Sequence, residues 1–93
     1  MDSFNKIIKE HENVYTSYKG ESLVLVDMQT YDGPITMQYL PFGGVQSVFN
    51  NHLIINTLKG FMFCDIVIYG NKRISSKQFV EMFPTIVNEV LPN

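Results

Sequence analysis

The sequence has few charged residues, one cysteine and a small net charge, and each of these bears on the class of protein. Only 17% of the 93 residues are charged while 45% are hydrophobic, which excludes intrinsic disorder. A single cysteine, Cys64, allows no internal disulfide, so we expect a reducing, cytoplasmic compartment. The net charge of -2 argues against a protein that binds nucleic acid through its overall field.

Long apolar runs are also missing. The longest runs, which include residues 61–64 and 66–69, are far shorter than the roughly 20 residues of a membrane span, and the N-terminus has no signal-peptide pattern. A chain of 93 residues predicts a single domain, residues 1–93. Since so small a core has limited capacity for apolar residues, the hydrophobic content predicts a surface that binds a partner.

Two segments of the N-terminal half have clear patterns. A stripe with spacings of three and four predicts a first helix over residues 2–14, and consists of Phe4, Ile7, Ile8, His11 and Val14. Residues 22–29 are too β-branched and too few for a second helix and predict a strand. Turn chemistry at Asp32-Gly33-Pro34 then predicts a hairpin that returns over residues 35–40.

The middle of the chain is ambiguous between helix and strand. Residues 45–59 place some apolar side chains on one helical face, but most of the segment is β-branched or Asn, and Asn50-Asn51 suits a tight turn, so we favour two strands. Residues 61–69 are apolar on both faces and predict a central strand.

The C-terminal helix has the strongest start signal. Ser75 and Gln78 fit a capping box. Pro84 conflicts with an unbroken helix and predicts a kink, or a second short helix with Pro84 in its first turn. The complete pattern predicts a two-layer α+β domain, in which an antiparallel sheet of four or five strands carries the N- and C-terminal helices mainly on one face.

Asp65 is the most unusual residue, because it lies within the apolar strand 61–69. Strict alternation places it on one face with aromatic residues, and we predict that this face is an interface formed by Phe61, Phe63, Asp65, Val67 and Tyr69. The alternative is a face covered within the chain, where Asp65 pairs with Lys59, Lys19 or a backbone amide.

A basic turn offers a second binding surface. Lys72, Arg73 and Lys77 lie around the start of the C-terminal helix, where cations and free amides could bind an anion or a nucleic-acid backbone. The alternative is a solvated loop that only caps the helix.

Evidence for catalysis is sparse. Asp27 and Asp65 could serve a small metal-dependent hydrolase, but the sequence has no convergent acid, base and nucleophile, so we expect no catalytic residues. His11, His52 and Cys64 are isolated, so we expect neither a metal site nor a cofactor.

The function that the sequence favours is protein binding without catalysis. We expect a homodimer, or a small inhibitor, adaptor or accessory protein that docks on a larger macromolecule, with no membrane partner. The abundance of Asn, Ile, Lys, Phe and Tyr suggests an AT-rich genome and is compatible with a phage or mobile-element origin.

Overall fold

The computed structural model describes residues 3–34 and 40–92, and these residues fold mainly as antiparallel strands. Strands make up 51% of the structure, so the predicted α+β fold with two helices packed on a sheet is wrong. The elements are β1 (Glu12–Tyr18), β2 (Glu21–Thr30), β3 (Val45–Phe49), β4 (His52–Thr57), β5 (Gly60–Cys64), β6 (Ile66–Tyr69), β7 (Lys72–Ser75), α1 (Ser76–Met82) and a 3₁₀ helix (Pro84–Ile86).

The predicted N-terminal helix does not form. Phe4 and Ile8 are fully buried, but the Phe4 carbonyl accepts from the Leu58 N–H at 3.1 Å, whereas in a helix it would accept from Ile8. The Glu12 carboxylate accepts from the Lys9 N–H at 2.9 Å, which closes a turn directly before β1. The apolar residues Phe4 and Ile8 of the stripe are therefore buried by tertiary contacts, although the segment is not helical.

Strand β2 is the centre of the sheet. Its first half pairs with β1 on one side and with β6 on the other, and its last residues pair with β5. Strand β7 extends the sheet beyond β6, while β4 and then β3 extend it beyond β5. We call β1, β2, β6 and β7 wing A, and β3, β4, β5 and the end of β2 wing B.

Short turns join neighbouring strands, and one of them lies at a predicted position. Asn50 and Asn51 have φ angles of 50° and 70° and connect β3 to β4, which confirms the preference for strands in the middle of the chain. Lys19 and Gly20 make the same kind of connection between β1 and β2, with φ angles of 51° and 81°.

One core lies against the inner faces of both wings. It includes Val14, Leu25 and Val67 from wing A, and Leu53, Ile55 and Met62 from wing B. Four aromatic rings form its end beneath α1, with centroid distances of 5.2 to 5.9 Å, and these rings belong to Tyr18, Tyr69, Phe79 and Phe83. Phe4, Ile8 and Leu91 also belong to the core, so α1 and both terminal segments pack on the inner face.

The C-terminal predictions are confirmed in part. The Ser75 hydroxyl accepts from the Gln78 N–H at 3.0 Å and caps α1, as the capping box predicts. Helix α1 ends at Met82, and Pro84 begins the 3₁₀ helix, as one of the two predictions for this proline required.

Two predictions concern other parts of the chain. The strand predicted to return over residues 35–40 falls almost entirely on 35–39, which lie outside the described residues. Within the described residues, no helix is both long enough and apolar enough to cross a membrane.

Candidate functional site

The two central strands are interrupted at the same level of the sheet. Strand β2 pairs with β6 at Val26 and Ile66, and with β5 at Gln29 and Phe63. Between these two rungs each strand has two residues, Asp27–Met28 on one and Cys64–Asp65 on the other. We call these four residues the paired break.

In β2 the break is a bulge at Asp27. Its φ angle is 59°, and its backbone N–H donates to the Asn13 side-chain oxygen at 2.9 Å. The pairing of β1 with β2 shifts by one residue at this point. In a regular strand, residues on the same face are an even number of positions apart, but the buried residues Leu25 and Met28 are three positions apart. The alternation of inward and outward side chains in β2 is therefore reversed at the bulge.

The facing strand changes sides in the same way. Cys64 and Val67 are both fully buried although they are three positions apart. The carbonyl groups of Cys64 and Asp65 accept from Ser76, from its hydroxyl at 2.7 Å and from its N–H at 2.8 Å. The first residue of α1 therefore satisfies backbone groups at the break.

This change of side separates the residues of the predicted interface. Phe61, Phe63 and Asp65 are partly exposed, but Val67 is fully buried and Tyr69 packs against the core. The five predicted residues therefore do not share one face. Strict alternation could not reveal this, although an acid within an apolar strand is a signal that the alternation is interrupted there.

After the break, the outward residues of the strand are Ile66 and Ile68. Paired residues of adjacent strands share a face, so they form a surface with their neighbours in wing A. One rung crosses all four strands and consists of Tyr15, Val24, Ile68 and Arg73. The next rung joins Val26 to Ile66. We call these six residues the outer face.

The outer face is apolar at its centre and accessible at its margins. Tyr15 is 67% exposed and Arg73 is exposed. The four β-branched residues between them are partly exposed, and they are neither members of the core nor packed against it. The outer face is thus an apolar surface separate from the core.

Each aspartate of the paired break contacts a histidine. His11 Nδ1 lies 2.6 Å from Asp27 Oδ1. Asp65 is in direct contact with His52 Nδ1, rather than with the predicted Lys59, Lys19 or backbone amide. The His52 ring also lies against Phe63, with 4.2 Å between ring centroids. Contact through Nδ1 fixes the orientation of each imidazole.

The proposed hydrolase residues are not brought into a metal site by the described part of the chain. Among residues 3–34 and 40–92, no group of three or more His, Cys, Asp or Glu side chains is placed to hold a metal ion. Cys64 lies in the core, where burial raises the pKa of its thiol to about 12. A thiol with that pKa is a poor nucleophile near neutral pH.

The predicted basic turn lacks the free amides that we expected. The first three N–H groups of α1 donate to protein acceptors: Ser76 to the Asp65 carbonyl at 2.8 Å, Lys77 to the Asn51 side chain at 2.9 Å, and Gln78 to Ser75 at 3.0 Å. The side chains of Lys72, Arg73 and Lys77 are exposed.

A groove of about 830 Å³ runs along the free edge of β1. Both terminal segments reach this edge, because the Ser3 hydroxyl donates to the Tyr15 carbonyl at 2.6 Å and the Thr16 hydroxyl donates to the Pro92 carbonyl at 2.7 Å. These contacts partly cover the edge and limit its pairing with a further strand.

No protein-family model matches this chain, and neither a curated protein nor a solved structure matches it.

Proposed function

We propose that the protein is a cytoplasmic, non-catalytic protein-binding domain, and that the outer face is its interface. The observation that carries the proposal is an apolar surface on the side of wing A opposite the core. This proposal moves the interface from the five residues expected on strand 61–69 to the six residues of the outer face. Of these six, Ile66 and Ile68 lie within residues 61–69, where the core uses Val67 and Tyr69.

The composition of the outer face supports a protein partner. Val24, Val26, Ile66 and Ile68 have short, stiff side chains, so they present a flat surface that loses little conformational entropy on binding. Complete burial of an exposed Val or Ile side chain contributes about 1.5–3 kcal/mol, and these four partly exposed residues each gain a fraction of that on binding. Tyr15 and Arg73 at the margins are residue types that often dominate binding energy in interfaces.

The paired break lies at one end of this surface. Each acid at the end of the outer face contacts a histidine. The sheet can therefore keep two carboxylates beside an apolar surface without a buried, unpaired charge. We assign these pairs a structural role in the interface rather than a catalytic one.

Site-specific photo-crosslinking tests the proposal. A photoreactive phenylalanine derivative in place of Tyr15 should form covalent adducts with a protein in the cells that produce this chain, because it lies on the outer face. The matched control places the same derivative at Met82, which is 49% exposed on α1. We expect adducts from position 15 and few from position 82. If position 15 formed no adducts, or no more adducts than position 82, the result would contradict an interface on this face.

A further inference from the structure

We infer that the partner on the outer face is a second copy of this chain, related by a two-fold axis parallel to the strands. This inference rests on the proposed function and goes further by naming the occupant. The observation behind it is the order of side chains along one rung, with an exposed tyrosine at one end and an exposed arginine at the other.

The symmetry follows from the strand order of wing A. When two copies of the sheet stack face to face, a two-fold axis parallel to the strands reverses the order of the strands across the interface. Strand β1 of one copy then lies over β7 of the other, and β2 lies over β6. This axis does not change the position of a residue along the strand direction. The rung of one copy therefore lies over the same rung of the other copy, with the order of its four residues reversed.

The reversed rung is complementary to itself at every position. Tyr15 meets Arg73 of the second copy, and Val24 meets Ile68 of the second copy. Stacked sheets are separated by about 10 Å, which long side chains from both sides can span. A guanidinium over a tyrosine ring gains a cation–π interaction, and the symmetry provides this contact twice.

A two-fold axis perpendicular to the strands does not give this match. Such an axis keeps β1 over β1 and β7 over β7, so an axis that passes through the rung places Arg73 against Arg73 of the second copy. The two guanidinium groups would then repel one another. The charge distribution of the face therefore favours the axis parallel to the strands.

Sedimentation equilibrium over micromolar to millimolar concentration tests this inference. We expect a reversible dimer with twice the 10.7 kDa mass of the chain. Tyr15→Arg should raise the dissociation constant at least about tenfold, because the introduced guanidinium then faces Arg73 of the second copy. Met82→Arg is the control, since it makes the same charge change at an exposed position on α1.

The exchange variant is the decisive sample. This variant combines Tyr15→Arg with Arg73→Tyr, so each tyrosine–arginine contact forms again with the two residues exchanged between the strands. Its dissociation constant should therefore return to within about threefold of that of the unmodified protein. Circular dichroism checks that each variant is folded. If Tyr15→Arg fails to fold, Arg73→Ala, which removes the cation alone, should also weaken the dimer.

Two results would overturn the inference. The first is a monomer at every concentration, and the second is a dimer that the exchange variant does not restore. A monomeric purified protein that nevertheless crosslinks through position 15 to a different protein in cells would refute the second copy as partner and leave the proposed function intact. Absence of both dimer and adducts would refute the two together.

Discussion

Asp27 and Asp65 lie on neighbouring antiparallel strands within the same interruption of the sheet, and each carboxylate contacts its own histidine. Neither aspartate lies at a regular strand end. Both mark the level at which their strands change sides, and that change places Ile66 and Ile68 outward while Val67 enters the core.

The backbone at Asp27 gives a first prediction. A φ angle of 59° suits Gly, Asn or Asp but is unfavourable for a β-branched residue. Asp27→Gly and Asp27→Asn should change the unfolding free energy by less than about 1 kcal/mol, whereas Asp27→Val should cost about 1–2 kcal/mol more than Asp27→Gly. Urea denaturation measures these differences. Equal losses for Val and Gly would show that the carboxylate matters more than the backbone conformation.

The contact between His52 and Asp65 should be energetically coupled. His52 is partly buried beside Phe63, so this pair is less screened than a fully exposed one. A double-mutant cycle with His52→Gln and Asp65→Asn should give a coupling energy of about 0.5–1 kcal/mol. The same cycle on His11 and Asp27, whose side chains are 68% and 51% exposed, should give less. A coupling energy near zero for His52 and Asp65 would contradict the structural role assigned to this pair.

Ser75 is expected to stabilise α1 without taking part in binding. Its hydroxyl accepts from the Gln78 N–H, so Ser75→Ala should lower the unfolding free energy by about 1 kcal/mol. Ser75→Asp keeps an acceptor at the cap and serves as the control. Thermal unfolding should therefore show a lower midpoint for Ala than for Asp. An unchanged midpoint together with lost dimerisation would instead place Ser75 in the interface.

Glu10 should contribute to stability only above acidic pH. The Thr30 hydroxyl, and then the Thr30 N–H, donate to its carboxylate and lower its pKa from the ordinary value of 4.5. A pKa lowered by folding gives stability that is present above the unfolded pKa and is lost as the pH falls through the folded pKa. Glu10→Gln should therefore lose less stability than the unmodified protein when the pH is lowered from about 6 to about 3.

Urea midpoints at several pH values across that range measure this loss. Glu81→Gln, which removes an exposed carboxylate from α1, is the charge-matched control. An identical acid dependence for Glu10→Gln and the unmodified protein would show that the Thr30 hydrogen bonds do not stabilise the fold.

Local chemistry allowed part of this fold to be predicted from the sequence. The Asn50-Asn51 turn, the Ser75 cap and the interruption at Pro84 depend on a few adjacent residues, and the structure confirms all three. The N-terminal stripe was misleading because Phe4 and Ile8 reach the core through tertiary contacts that helix periodicity does not describe.

The candidate site was harder to predict than the fold. Alternation gives the correct side for residues 61–64, but one interrupted position reverses every later residue. That interruption depends on the Asp27 bulge in another strand and on hydrogen bonds from Ser76. No pattern within residues 61–69 specifies these distant contacts, so only the folded structure could distinguish Ile66 and Ile68 from Val67 and Tyr69.

The most direct test of this account compares the unfolding free energies of Ile68→Lys and Val67→Lys. Ile68 lies on the outer face, so its replacement should change the stability of the monomer by less than about 1 kcal/mol. Val67 is fully buried, so Val67→Lys should cost several kcal/mol or prevent folding. A destabilising Ile68→Lys and a tolerated Val67→Lys would show that the strand does not change sides at Asp65, and the proposed outer face would be wrong.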